Sequence, residues 1–374
     1  SLSADGSVVA IGAPMNGDNS EDYKNSGRGH VKIFKNVNNN WTQVGNDIDG
    51  KKINISSGHS VSLSGDGSIV AIGAPMYGYW DSNNEFIDES GLVRIYQNVN
   101  DSWTQIGSDI VGESETESSG DSVSLSADGS VVAIGAPGND SNGTDSGLVR
   151  IYQNVNNAWE KIGEDIDGEA AWHNFGRSVS LSSDGSVVVI GAPQNNGNGP
   201  DSGHVRIYQN VNGTWKQAGN DIYGKAIDDR SGLSLSLSSD GSIVAIGSPN
   251  NDDNGEDSGL VRVYQIDLDK TAPSILGPSG DAGDSTSSKL INENSSAIHT
   301  FSANETVSWS ITGGVDKDKF IINSSTGELS FSSAPDYEDP TDTGKNNSYE
   351  VTLQATDLAS NTSNQTITIT VDDV

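Results

Sequence analysis

The chain has no cysteine. Disulfides and thiolate metal sites are therefore excluded, although that absence does not fix the compartment. No apolar run approaches the ~18 residues a membrane helix needs, so no segment reads as a span. Basic residues are scarce: Lys and Arg total 20 against 52 Asp and Glu, a net charge of −32 over 374 residues. Such a chain repels nucleic acid and anionic membrane, and both are excluded as partners. An acidic surface favours cations and solubility. There is no initiator Met and no signal peptide, and the chain opens inside a strand pattern, which suggests a piece of a longer protein. Helical periodicity of useful length is absent.

What the chain has in abundance is glycine, 44 residues, and repetition. The phrase Ser-Leu-Ser begins at Ser1, Ser62, Ser124, Ser180 and Ser236, at a spacing of 56 to 62 residues. Regular spacing of this kind marks a repeat architecture. In the copy starting at Ser124, Val123 and Leu125 alternate with serines, as in a strand. Asp128-Gly129 supplies a hairpin turn that needs positive φ. Val131 to Ile134 is a continuous apolar run, which suits a strand covered on both faces. Gly135-Ala136-Pro137 stops it. Strands follow at Val149 to Tyr152 and at Trp159 to Ile162. Four antiparallel strands per copy, each sheet shielded by its neighbours, describe the blade of a β-propeller. The recurring Trp41, Trp103, Trp159 and Trp215 read as packing between blades. Lys32, Arg94, Arg150, Arg206 and Arg262 read as blade-to-blade partners of the Asp-rich turns. The last copy lacks its Trp strand, so the expectation is five blades, the last incomplete with three strands.

Residues 1–269 form this first domain. Residues 270–289, with Pro273, Pro278 and several Gly and Ser, read as a linker. Residues 290–374 carry many short alternating strands, which suggests a β-sandwich and makes the whole chain all-β.

Phe175-Gly176 before a first strand and Gly191-Ala192-Pro193 after a second resemble the FG-GAP repeats of integrin-α-type propellers and their bacterial surface relatives. The Gly-Ala-Pro half recurs at Gly12, Gly73 and Gly135, while Ser57, Ser119 and Ser231 replace the Phe. The calcium loop of integrin blades does not carry over. Ala127-Asp128-Gly129-Ser130 is too short to wrap a cation that takes about six to eight oxygens. The second domain resembles a bacterial cadherin-like domain through Ile291-Asn292-Glu293-Asn294, Ser325-Thr326-Gly327-Glu328-Leu329, Asp336-Tyr337-Glu338, Tyr349 to Asp357 and Ile369 to Val374. That resemblance implies a calcium site from Glu293, Asp336, Glu338 and Asp372, with Asp373 nearby. It also implies a second site containing Asp357 at the opposite end, facing Asp267 and Asp269. At that end Asn304-Glu305 replaces the family's Asp-x-Asp pair.

Other features are left with two readings each. The acidic loops Asn139 to Asp145, Asn195 to Asp201 and Asn251 to Asp257 are half calcium loops or self-capped Asx turns. Tyr77, Tyr79 and Trp80, with Phe86, Asp81 and Asp88, and separately Trp172-His173, do not recur. They stack on sugars or a partner, or they pack locally. His30 and His204 occupy equivalent repeat positions, which argues against a zinc site or a His-based triad. Nearly every Asp recurs in register, as a scaffold would require, so the reading is non-catalytic. The chain is expected to be a secreted or extracellular bacterial surface adhesin with calcium as cofactor. Its partners would be a cell-surface protein or glycan and neighbouring domains of a longer chain. The alternative is a secreted lectin or carbohydrate-active enzyme built on a propeller.

Overall fold

The computed structural model describes residues 1–16, 27–52, 55–80, 86–87, 89–266, 268, 271–357 and 361–374; the side chains of residues 79, 80, 86 and 87 are not among what it describes. The chain is all-β, and among the described residues one short 3-10 turn, Lys317–Lys319, interrupts the strands. It divides into two units, Ser1–Leu268 and Asp269–Val374.

The first unit contains five repeated sheets. In the third, Ser122–Leu125, Val131–Ala136, Leu148–Val155 and Ala158–Lys161 pair antiparallel in chain order. The phrase Ser-x-Asp-Gly-Ser builds the first turn. The Ser126 hydroxyl donates to Asp128 and accepts the Val131 amide, while Asp128 also accepts from the Ser130 amide. The same bonds recur at Ser3-Asp5-Ser7, Ser64-Asp66-Ser68, Ser182-Asp184-Ser186 and Ser238-Asp240-Ser242.

The outer edge differs from the simple four-strand expectation. A further two-residue strand, Ile166–Asp167, pairs with the same edge of Leu148–Val155. Residues 162–165 bulge between the two pairings, where Gly163 takes φ +72°. A bulge re-aims a side chain, and here Asp165 meets Arg150 at 2.9 Å. Arg94–Asp109, Arg206–Asp221 and Lys32–Asp47 repeat the arrangement. These basic residues pair with the bulge of their own sheet, and Arg150, Arg206 and Arg262 reach residues that follow the last strand of the preceding sheet or lie in it, Glu117, Glu169 and Tyr223.

Consecutive sheets are joined by apolar packing. Alternate residues of each second strand serve different neighbours: Val132 and Ile134 pack with Val93 and Ile95 of the preceding sheet, whereas Val131 and Ala133 pack with Val188 and Ile190 of the following one. Both Val131–Ala136 and Val187–Ala192 are buried throughout. The equivalent strands of the first and last sheets, Val8–Ala13 and Ile243–Ser248, are covered on one face only. A continuous apolar run is needed where a sheet has two neighbours, and the repeat carries the same run into the end strands, where one face stays exposed.

Two glycines make the closest approach between sheets. A Cβ on Gly135 would lie 1.9 Å from the Gly176 carbonyl oxygen, and Gly176 itself takes φ +88°. Gly73 and Gly120, and Gly191 and Gly232, meet in the same way. The indole nitrogens of Trp103, Trp159 and Trp215 each donate to a carbonyl of the preceding sheet, Val44, Ile106 and Ile162 respectively.

In the second unit, Thr286–Asn292, Thr362–Asp372, Ser348–Asp357 and Val307–Gly313 form one sheet, the first pair parallel. Ala297–Thr300, Glu328–Phe331 and Phe320–Ile322 form the other. One apolar cluster, including Phe301, Trp309, Phe320, Phe331 and Tyr349, draws on both. The segment expected as a linker is instead partly built into this unit. Ile275–Leu276 pairs with Ser302–Ala303, Ile275 is buried in the core, and Thr286–Asn292 is an integral strand.

Candidate metal centre

Three loops of the second unit converge at one end. The Glu293 amide donates to the Asp372 carbonyl, the Asn294 amide to the Pro335 carbonyl, and the Tyr337 amide to the Glu293 carboxylate. Strand pairing between Asn292 and Asp372 fixes two of these loops against each other. The carboxylate oxygens of Glu293, Glu338 and Asp373 consequently fall within 4.8 Å of one another. The Glu338 amide helps to hold its own carboxylate charged, but repulsion from Glu293, then Asp373 and Asp336, outweighs it and raises the Glu338 pKa. Uncompensated carboxylates at this spacing form an oxygen set suited to a hard divalent cation.

Of the sequence-derived set, Glu293 and Glu338 are in this group. Asp336 stands beside it and spends one oxygen on the Glu338 and Asp339 amides. Asp372 supplies its backbone carbonyl, and it is the next residue, Asp373, whose carboxylate joins the group. Strand alternation is the reason: Asp372 is the final strand residue, directly after buried Val371.

Asp357 is buried, and its carboxylate accepts from the Asn361 amide and side chain, closing its own loop. Its expected companions Asp267 and Asp269 lie outside the described residues. In the first unit the acidic loops are capped from within. Asn139, Asn195 and Asn251 accept amides two residues ahead, and Asp140, Asn196 and Asp252 accept amides five residues ahead. The two-residue contacts are Asx turns, and the five-residue contacts close the same loops.

Tyr77 packs against the Ile55, Ala74 and Leu92 cluster, with the Lys52 ammonium 3.1 Å from its hydroxyl. Tyr79–Trp80 pairs with Phe86–Ile87 in a small hairpin, but the rings themselves, with Asp81 and Asp88, lie outside the described residues. Trp172 is 60% exposed. Its φ of +67° belongs to the loop template, since Thr116 and Asp228 at equivalent positions take 59° and 61°. The conformation is thus accounted for by the repeat, and the exposed indole is not.

Compared with known proteins, residues 166–208 match the FG-GAP repeat family and residues 299–372 match the cadherin domain family. Nothing among curated proteins matches the chain. A solved structure, a putative 6-phosphogluconolactonase from Bacteroides uniformis, is 11% identical over 97% of each chain with a TM-score of 0.38.

Proposed function

We propose, from a chain that carries an FG-GAP repeat and a cadherin domain, that it is part of an extracellular adhesion or surface protein whose cadherin domain binds calcium. The observation that carries this reading is the convergence of Glu293, Glu338 and Asp373 at one end of that domain. Calcium there would neutralise the carboxylate repulsion that raises Glu338. Binding only the ordered state, it would stabilise the domain by mass action.

The five sheets of the first unit are read as propeller blades about a common axis. In support, the first strands of consecutive sheets lie side by side. A run of hydrogen bonds from Ala4 to Gly65, Gly65 to Ala127, Ala127 to Ser183 and Ser183 to Ser239 links equivalent turns along the narrow edge. The same observations support a rigid display platform, with Trp172 as a ligand-contact residue and a cell-surface protein or glycan as partner. Among the described residues no helix is long and apolar enough to cross a membrane.

The ligand half of the proposal is tested by glycan-array and whole-cell binding with Trp172→Ala alongside the unaltered protein. Loss of most of the signal in the variant is expected. Hydrolysis of a polysaccharide by the unaltered chain would overturn the adhesive reading in favour of a carbohydrate-active enzyme.

A further inference from the structure

Repeat four departs from its neighbours at two positions. In repeat three the third strand opens with Leu148, and the loop before the first strand buries Glu117, which pairs with Arg150 at 2.6 Å. In repeat four the corresponding residues are His204 and His173. Without the buried carboxylate, Arg206 keeps the other two partners of the template, Glu169 and Asp221, as Arg150 keeps Glu113 and Asp165. His204 is 1% exposed, and both of its ring nitrogens lack a hydrogen-bond partner among the described residues. A buried imidazole with neither nitrogen satisfied is costly unless something occupies it. One of its nitrogens lies within 4.8 Å of carboxylate oxygens of both Glu169 and Asp221, which lie within the same distance of each other.

We propose that His204, Asp221 and Glu169 form a site for a borderline divalent transition metal, with zinc as the probe. One imidazole and two carboxylates match the three-ligand sets such ions accept, with a fourth position left for water, whereas calcium takes oxygen alone. Asp221 is oriented by the Gln217 side chain at 2.7 Å and the Tyr223 hydroxyl at 3.0 Å, the kind of support ligating carboxylates require. Glu169 is the exposed member and marks the way in. Metal entry displaces the Arg206 Nη2 group from Glu169 and from Asp221, 2.8 Å away, while the Nε bond to Asp221 at 2.9 Å holds the guanidinium nearby.

The site differs from the His30, Asp47 and Asp49 group at the equivalent place in repeat one. There the imidazole is only partly buried and Nδ1 is engaged by Asn16 at 2.6 Å.

Equilibrium dialysis of the metal-stripped chain against zinc, in excess calcium to saturate carboxylate-only sites, tests the proposal. His204→Leu installs the residue repeat three already carries, so the fold should survive, as judged by its melting midpoint without zinc. The variant is expected to bind one equivalent less zinc than the unaltered chain and to lose the zinc-dependent rise in melting midpoint. His30→Leu should leave that equivalent in place. Glu169→Gln, at an exposed position, should weaken it by about tenfold or more. Equal zinc uptake by His204→Leu and the unaltered chain, or no uptake by either, overturns the assignment and makes His204 a packing residue.

Discussion

Gly135 and Gly176 give the FG-GAP phrase its physical content. The two glycines are the places where one sheet's backbone touches the next, so neither tolerates a Cβ. Gly135→Ala is expected to cost roughly 1–3 kcal/mol through overpacking, read as a lower urea midpoint. The serine-aspartate turns are expected to contribute to the pH dependence of stability on the acid side. Burial opposes the Asp128 charge, but hydrogen bonds from Ser126 and Ser130 outweigh it and hold the carboxyl below the usual range. Asp66 and Asp184 behave alike, and in Asp5 the Ser7 amide and Ser3 hydroxyl pull the value to about 2. A folded pKa below the unfolded one adds stability that is fully present above the unfolded value of about 4 and is lost as pH falls through the folded value. The urea midpoint should therefore drop progressively below pH ~4, and less steeply in Asp128→Ala. These turns were legible in the sequence because their bonds are local. The glycine contact was legible only as a recurring phrase, since its partners lie 41 residues apart in Gly135 and Gly176.

At the scale of the strand, position in the array decides the cost of a substitution. Ile134, between two sheets, is 1% exposed, whereas Ile11 in the first sheet is 51% exposed. Truncation to Ala should cost roughly 2–5 kcal/mol at Ile134 and under ~1 kcal/mol at Ile11. Trp159→Phe should forfeit about 1 kcal/mol with the inter-sheet bond to Ile106, and Trp41→Phe much less, because Trp41 is half exposed. Comparison of the four chemical-denaturation curves checks both pairs. The repeat strands were visible as apolar runs and alternation. The broken outer edge was not, because Gly163 reads as an exit from the strand when it is a bulge that seats Asp165 against Arg150. Thr286–Asn292 was hidden for another reason: one of its inward residues is Ser287, bonded at 3.1 Å to buried Gln365, so the apolar alternation expected of a strand is missing.

At the scale of the whole molecule, an acidic repeat array and a cadherin domain share one chain, and cations are the partners its charge favours. Glu293 and Glu338 stand in phrases the sequence shares with the cadherin pattern, although Glu338 lies in the long connection 332–347. Asp373 was displaced by its neighbour, since strand phase at the last residue is a property of the fold and not of the phrase. The most direct test is the melting transition of the cadherin domain, followed in the intact chain by calorimetry with and without a chelator. Calcium at about a hundred times its dissociation constant should add about 2.7 kcal/mol, and the gain should vanish in a Glu293→Ala, Glu338→Ala double variant. A transition that is identical with calcium and with chelator would contradict the calcium assignment.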